Sequence, residues 1–274
     1  MHTPLRKVIY SMRALRLGSR RSLFEDFSGS WEEAQASVAG YAAPDIVKPV
    51  VQASLAVQEG RAVHERDSVN FDRIHYSWPV LAGLLWSTAD HGGSLRVVDV
   101  GGSLGTTYRQ NRRFLASMRE VSWAVVEQPN FVAAGREHFE DGALTFHETI
   151  GEASATRPRV GLVSGSLQYL EDPYGALADL TASGISVLII DRTPVHPGDD
   201  DRVTLQHVPP SIYPATYPAR LLSLPKLLQA LSDLGWSVVE EFETLERPMV
   251  TRAGFAFSWT GMICTRSRGT DDAR

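Results

Sequence analysis

Leu95-Arg96-Val97-Val98-Asp99-Val100-Gly101-Gly102-Ser103-Leu104-Gly105 decides how this chain folds. Its first six residues form a short, nearly continuous apolar run, the pattern of a strand buried on both faces. Gly101, Gly102 and Gly105 then let the backbone turn tightly and approach a ligand closely, because no Cβ stands in the way. A helix over Thr106 to Met118 follows, and strands and helices alternate from there on. Trp123 to Glu127, Ala143 to His147, Val160 to Ser164 and Val187 to Asp191 read as further strands. Asp172-Pro173 caps a helix ending near Gly184. Ser223 starts another, with Leu224, Leu227, Leu228, Leu231 and Leu234 on one stripe and Gly235 as its stop. The last two strands, Ser237 to Phe242 and Phe255 to Cys264, have no helix between them and suggest a closing hairpin. The expected fold is α/β, a doubly wound and mostly parallel sheet covered on both faces.

The segment before the glycine loop has a different character. Residues 1–90 read as a helical extension, with a capped start at Ser28-Gly29-Ser30 before Trp31 and helices over Ile46 to Glu59 and Ile74 to Trp86. The α/β domain then spans 91–266, and 267–274 form a disordered tail. Tyr76, Trp78 and Trp86 read as core residues of the extension. Arg6, Lys7, Arg13, Arg16, Arg20 and Arg21 crowd the N-terminus, with Leu5, Val8, Ile9, Met12 and Leu15 at helical spacing. A terminal helix docking one apolar stripe on the domain is the favoured reading, over one lying on an anionic membrane.

Composition narrows the function. The chain of 274 residues is 43% hydrophobic and 22% charged, like an ordinary soluble domain. A net charge of -5 argues against nucleic-acid binding. Cys264 is the single cysteine, so no disulfide framework exists, and the expected compartment is a reducing cytoplasm. His64, His75, His138, His147, His196 and His207 show no ligand spacing, so no metal site is expected.

The loop discriminates between two cofactors. A dinucleotide site wants G-x-G-x-x-G, but that frame falls on Gly101, Ser103 and Thr106, with only the first glycine in place. An adenosylmethionine site carries an acid two residues before the first glycine, where Asp99 stands. Glu127 closes the second strand, where a carboxylate can accept both ribose hydroxyls. S-adenosylmethionine is therefore the expected cofactor. An NAD-dependent oxidoreductase and a non-catalytic adenosylmethionine-binding scaffold are the alternatives.

Asp99-Val-Gly-Gly-Ser-Leu-Gly-Thr-Thr-Tyr108 with Glu127 resembles the class I adenosylmethionine-dependent methyltransferases. That resemblance implies a Rossmann-like sheet of seven strands with the last inserted antiparallel. It puts Asp99, Gly101, Gly105 and Glu127 on the cofactor, with Gly102, Ser103 and Gln128 beside them. It sets Ser164 to Leu167, including Ser166, against the methionyl part. The adenine contact falls to His147, Glu148 or Thr149, with Glu148 preferred. Ser103 departs from the class, which often has glycine there.

A narrower resemblance rests on Trp31-Glu-Glu-Ala34, Gly40-Tyr41, Glu65-Arg-Asp-Ser-Val-Asn-Phe71, Tyr76-Ser-Trp-Pro79 and Val126-Glu-Gln-Pro129. It continues through Leu167-Gln-Tyr-Leu-Glu-Asp-Pro-Tyr174, Ile190-Asp-Arg-Thr-Pro194 and Val208 to Pro218. These are similar to a family of methyltransferases often encoded among surface-polysaccharide genes, which implies a small-molecule acceptor related to a sugar or glycan.

Acceptor chemistry is expected after the fifth strand. Pro209, Pro210, Pro214 and Pro218 suggest an ordered, irregular wall over 201–217. It offers His207 as a general base, Tyr213 as a further catalytic group, and Gln206, Ser211 and Tyr217 as substrate contacts. Arg192 would pair with an anionic acceptor, or with Asp172, Asp199 or Asp201. Arg66, Asp67, His75 and Tyr76 would close over the acceptor from the helical extension.

Overall fold

The computed structural model describes residues 22–38, 44–89, 92–209, 212 and 215–267. The basic N-terminus, Gly40-Tyr41, Ser211, Tyr213 and most of the tail lie outside them.

The segment before the glycine loop is not purely helical. Strand β1 (Phe24–Asp26) precedes α1 (Trp31–Ala36). Ser30 caps α1 as its sequence suggests. Its hydroxyl accepts the Glu33 amide at 3.2 Å while the Glu33 carboxylate accepts the Ser30 amide at 2.8 Å. Helix α2 (Pro44–Gln58) leads to a hairpin, β2 (His64–Arg66) and β3 (Val69–Phe71). The hairpin turns at Asp67 and Ser68, whose φ of 52° and 65° both lie in the left-handed region a two-residue turn requires. Strands of three residues leave no periodicity to read, which is why the helical expectation missed them. Helix α3 (Trp78–Trp86) starts only where Pro79 falls in its first turn, four residues later than expected. Trp78 and Trp86 are 59% and 49% exposed, so they are not core.

The rest alternates: β4 (Ser94–Val100), α4 (Thr106–Leu115), β5 (Glu120–Val126), α5 (Pro129–His138), β6 (Leu144–His147), α6 (Ile150–Ala153), β7 (Val160–Ser164), α7 (Pro173–Ala182) and β8 (Val187–His196). Then come β9 (Arg202–His207), β10 (Thr216–Ser223), α8 (Leu224–Asp233), β11 (Trp236–Glu243), β12 (Met249–Val250) and β13 (Ala256–Arg266). Asp172 and Ser223 cap α7 and α8 through the Gly175 and Lys226 amides at 2.8 and 3.1 Å.

Five parallel strands run in the order β6-β5-β4-β7-β8. β13 pairs antiparallel with β8 on one side and β11 on the other, so the closing hairpin is present and completes a seven-stranded Rossmann-like sheet. Both faces are covered. Val97, Trp123, Val125 and Ile189 pack with Ile46 and Val50 of α2, Leu84 of α3 and Phe131 of α5. Val98, Ala124, Leu188 and Ile190 pack with Leu177 and Leu180 of α7 and Leu227 and Leu231 of α8. Among the described residues no helix is long and apolar enough to cross a membrane.

One extension shapes the site. β7 pairs with β8 only as far as Ser164 and Asp191, whereas β8 runs on to His196. At its end, Val195 and His196 pair with Leu222 and Ser223 of β10, and β9 and β1 follow antiparallel. This overhang builds a wall past the carboxyl ends of the parallel strands. In the stretch expected to be irregular over 201–217, residues 202–207 and 216–217 are strand, and the other described residues are not. Its prolines disguised a strand pair whose register runs from Thr216 opposite His207 to Leu221 opposite Arg202.

Candidate functional site

Close backbone contacts fix the glycine loop. Gly101 has φ +71°, its amide donates to Val126 O at 2.8 Å, and a Cβ there would lie 2.3 Å from the Ser166 Cβ. A Cβ on Gly102 would lie 2.5 Å from the Asp99 carboxylate. Ser103 takes the left-handed region without being glycine, φ +54°, a conformation costing roughly 1–2 kcal/mol. Its amide donates to Glu127 Oε1 at 3.2 Å, and the Gln128 amide donates to Oε2 at 2.9 Å. Glu127 thus ties the loop after β4 to the end of β5. Burial lifts its pKa to about 6 against the pull of those two amides.

Asp99 does something other than expected. It is 1% exposed, does not line the cleft, and accepts the Trp123 indole N–H at 3.0 Å beneath the loop. Burial raises its pKa to about 7. Its place is under the glycine loop, because the strand pleat turns it toward Trp123.

The cleft itself, about 720 Å³, opens beyond the carboxyl ends of β4 to β8. One half is bounded by Gly101, Ser103, Glu127, Gln128, Glu148, Thr149 and Ser164 to Ser166. Gln128 Oε1 is buried with no hydrogen-bond partner among the described residues. Gly105 and Gly102 shape the loop from behind. His147 leaves the adenine candidates, since its ring meets the Thr145 hydroxyl at 2.9 Å and it is absent from the wall.

The other half is walled by Leu23 and Phe24 of the β1 segment, Tyr169, Gln206, Val208, Ile212, Tyr217, Met249 and Trp259. Tyr217 pairs with Gln206 across β10 and β9, and Gln206 with Phe24 across β9 and β1, so three strands each present one side chain at the same level. The Tyr169 hydroxyl donates to Gln206 Oε1 at 2.7 Å. His207 belongs to the opposite face of the same strands. There its Nε2 meets Glu25 at 2.8 Å and its Nδ1 meets Thr216 at 3.1 Å. The period of two turns it away from the cleft, so it is no candidate base. Tyr76 is likewise elsewhere, against Trp78 and Phe114 at 4.9 and 5.2 Å between ring centres.

Arg192 stands between the halves on a left-handed backbone, φ +53°. Its Nε donates to Glu246 at 2.6 Å and its Nη2 reaches Asp67 at 3.4 Å, not the aspartates expected. Burial alone would lower its pKa, but the Asp67, Glu246 and Asp191 carboxylates outweigh burial and hold it above the ordinary value. Asp67 reaches this point because Glu65 anchors the hairpin to α4, accepting the Thr106 hydroxyl and pairing with Arg109 at 3.6 Å. Neighbouring Asp191 accepts the Ser164 hydroxyl at 2.9 Å on Oδ2, and its buried Oδ1 has no partner among the described residues. Burial raises its pKa to about 6. Asp191 faces a side pocket of about 80 Å³ that shares Gly101, Ser103, Ser164 and Arg192 with the cleft. Glu246, Met249 and Trp259 carried no site signal in the sequence. Only a motif around Tyr169 hinted at one.

No family model and no curated protein matches the chain. Solved structures do. Magnesium protoporphyrin IX methyltransferase from Synechocystis with bound adenosylmethionine is 16% identical over 82% of this chain and 99% of its own, TM-score 0.46. The 1,6-didemethyltoxoflavin-N1-methyltransferase of Burkholderia thailandensis, with its acceptor and adenosylhomocysteine, is 20% identical over 84% and 95%, TM-score 0.38. An adenosylmethionine-dependent methyltransferase from Methanosarcina mazei is 11% identical over 72% and 100%, TM-score 0.46. These are likenesses of architecture alone.

Asp99 has a measurable signature. In the native state it keeps a proton up to about pH 7 that the unfolded chain releases near 3.8, so its contribution to stability is full below pH 4 and is lost as pH rises toward 7. Asp99→Asn stays neutral and can still accept the indole N–H. Urea midpoints taken between about pH 4 and pH 7 should therefore fall less for the variant than for the wild type. Parallel curves would show that Asp99 is ionised in the fold.

Proposed function

We propose that the cleft binds S-adenosylmethionine and that the protein transfers its methyl group to a small-molecule acceptor. The observation that carries this reading is Glu127, a carboxylate on the cleft wall at the end of β5 with one backbone amide on each oxygen. Each oxygen keeps a further lone pair, so the pair suits vicinal ribose hydroxyls. Gln128 Oε1, buried and unpartnered among the described residues, together with Glu148 and Thr149 suits a purine edge bearing an amino group. Gly101, which tolerates no Cβ, and Ser164 to Ser166 suit the methionyl chain. A dinucleotide fits less well, because Ser103 stands where the pyrophosphate needs a second glycine.

When bound, adenosylmethionine supplies a methyl carbon on a cationic sulfur, and the acceptor's lone pair forms the new bond as the carbon–sulfur pair returns to sulfur. The chain's contribution is to hold the partners in line and exclude water. It also removes the proton an acceptor hydroxyl or amine sheds. His207 faces away, so that task falls to Ser164 and Asp191. The Ser164 hydroxyl takes the acceptor proton as it gives its own to Asp191 Oδ2, 2.9 Å away.

Parallel calorimetric titrations test the cofactor. Adenosylmethionine and adenosylhomocysteine should bind at micromolar Kd, about -8 kcal/mol, and NAD should not. Glu127→Ala should weaken both by about 100-fold, the scale of two charge-assisted hydrogen bonds. NAD binding in their place would make the protein a nicotinamide enzyme. With any acceptor that is methylated, Asp191→Asn should lower kcat by about 100-fold with adenosylhomocysteine affinity retained. Wild-type kcat should rise with pH through about 6, as Asp191 loses its proton and becomes a base. A kcat flat across that range would remove Asp191 from the mechanism.

A further inference from the structure

Beyond Arg192 the cleft changes chemistry. Two aromatic pairs wall it, Tyr169 with Tyr217 edge-on at 5.2 Å and Phe24 with Trp259 at 6.2 Å between centres. Val208 and Ile212 add aliphatic surface between them. These paired rings make the wall rigid and largely apolar, a surface that favours a flat ring over a flexible chain.

Charge in this half is already spoken for. Among the described wall residues here, the charged groups are Arg192, Asp67 and Glu246, and the one cation is bonded to both carboxylates. From the side pocket, Arg66 also reaches Glu246 at 3.9 Å, so these four charges sum to zero and both cations are paired. A phosphate or carboxylate entering it would leave water without gaining an unengaged cation, and burying an unpaired charge is costly. Anionic acceptors such as sugar nucleotides are therefore disfavoured.

Polar side chains are also few. Gln206 Oε1 already accepts the Tyr169 hydroxyl, and Trp259 Nε1 is a buried donor with no partner among the described residues. The indole N–H and the Gln206 amide N–H2 can satisfy two or three ligand oxygens. A pyranose would bring four or five hydroxyls, and each left buried and unpaired costs about 1–3 kcal/mol. The wall thus runs against the glycan-related acceptor expected from the sequence resemblance.

We propose, resting on the cofactor reading above, that the methyl acceptor is an uncharged, flat, ring-bearing molecule with one nucleophilic hydroxyl or amine, seated between the Tyr169–Tyr217 and Phe24–Trp259 pairs. Its nucleophile points at the Arg192–Ser164 end and its ring lies in the aromatic half.

The test uses the full chain saturated with adenosylhomocysteine and three probes: 2-naphthol, glucose and UDP-glucose. 2-Naphthol, followed by its own fluorescence anisotropy, should bind saturably, while glucose and UDP-glucose at the same concentrations neither bind nor displace it. Met249→Arg and Ile212→Arg place a cation on the wall from two separate elements. Each should weaken 2-naphthol at least about tenfold, since a charge is set into an apolar surface. Unchanged adenosylhomocysteine affinity in both variants shows that they remain folded. Preferential binding of glucose or UDP-glucose overturns the proposal, as does an absence of 2-naphthol binding or binding that neither variant weakens. Failure of adenosylhomocysteine to bind the wild type is a separate result, which sinks the cofactor reading and not the assignment of the aromatic wall; that wall is then tested by the same 2-naphthol titrations on the unliganded chain.

Discussion

The site depends on a single backbone constraint. At Gly101 the chain must leave the sheet with φ +71° while its amide still closes the ladder to Val126 at 2.8 Å. A side chain there would strike Ser166, so only glycine holds both conditions. Once they hold, the next two residues are forced over the end of β5, and the Ser103 amide arrives on Glu127. The left-handed strain at Ser103 is offset there, because that amide meets a carboxylate and the interaction is charge-assisted. Trp123 and Asp99 fill the space underneath, so loop, carboxylate and support form one unit.

A second cluster sets the electrostatics. Arg192 carries an unfavourable φ, yet it joins three segments distant in sequence: the middle of β8, the β2–β3 turn at Asp67, and Glu246 before β12. Of the five non-glycine residues in the left-handed region among those described, Asp67, Ser103 and Arg192 lie at the site, Ser68 completes the hairpin bearing Asp67, and Arg157 stands apart beyond α6. Strain of this kind persists only where surrounding contacts over-determine it. Here the contacts are ionic, and Glu246 is the more buried partner while Asp67 is exposed, so removing Glu246 would leave the guanidinium short of charge in a desolvated place.

Legibility from sequence followed the range of the interactions. The strand–glycine–helix stretch, the caps at Ser30, Asp172 and Ser223, and the closing hairpin rest on neighbours within a few residues, and each stood where the sequence put it. Glu127, Gln128, Glu148, Ser164, Ser166, Gln206 and Tyr217 reached the cleft because each lies at or next to a strand end on the wall side. The misreadings share a cause. Asp99 looks like a ligand until Trp123, paired one strand away, is seen to claim it. Arg192 finds partners 125 and 54 residues off. Strands β1, β2 and β3 are too short to announce themselves. The prolines of 209–218 hid β9 and β10, and with them the alternation that decides which side chains face inward.

That alternation bears on how the fold separates its two binding halves. The Glu127 half is built from loops at strand ends, where backbone amides hold the carboxylate. The other half is a sheet face, and its character is set by pleat. Phe24, Gln206 and Tyr217 stand level on one side of three strands, while Glu25, His207 and Thr216 interlock on the other. A register slip of one residue in β9 would exchange the two sets and turn an apolar wall into an ionisable one. The interlock of Glu25, His207 and Thr216 therefore serves the site from behind: by fixing the register of three strands, it keeps the histidine out of the cleft and the aromatic surface in it.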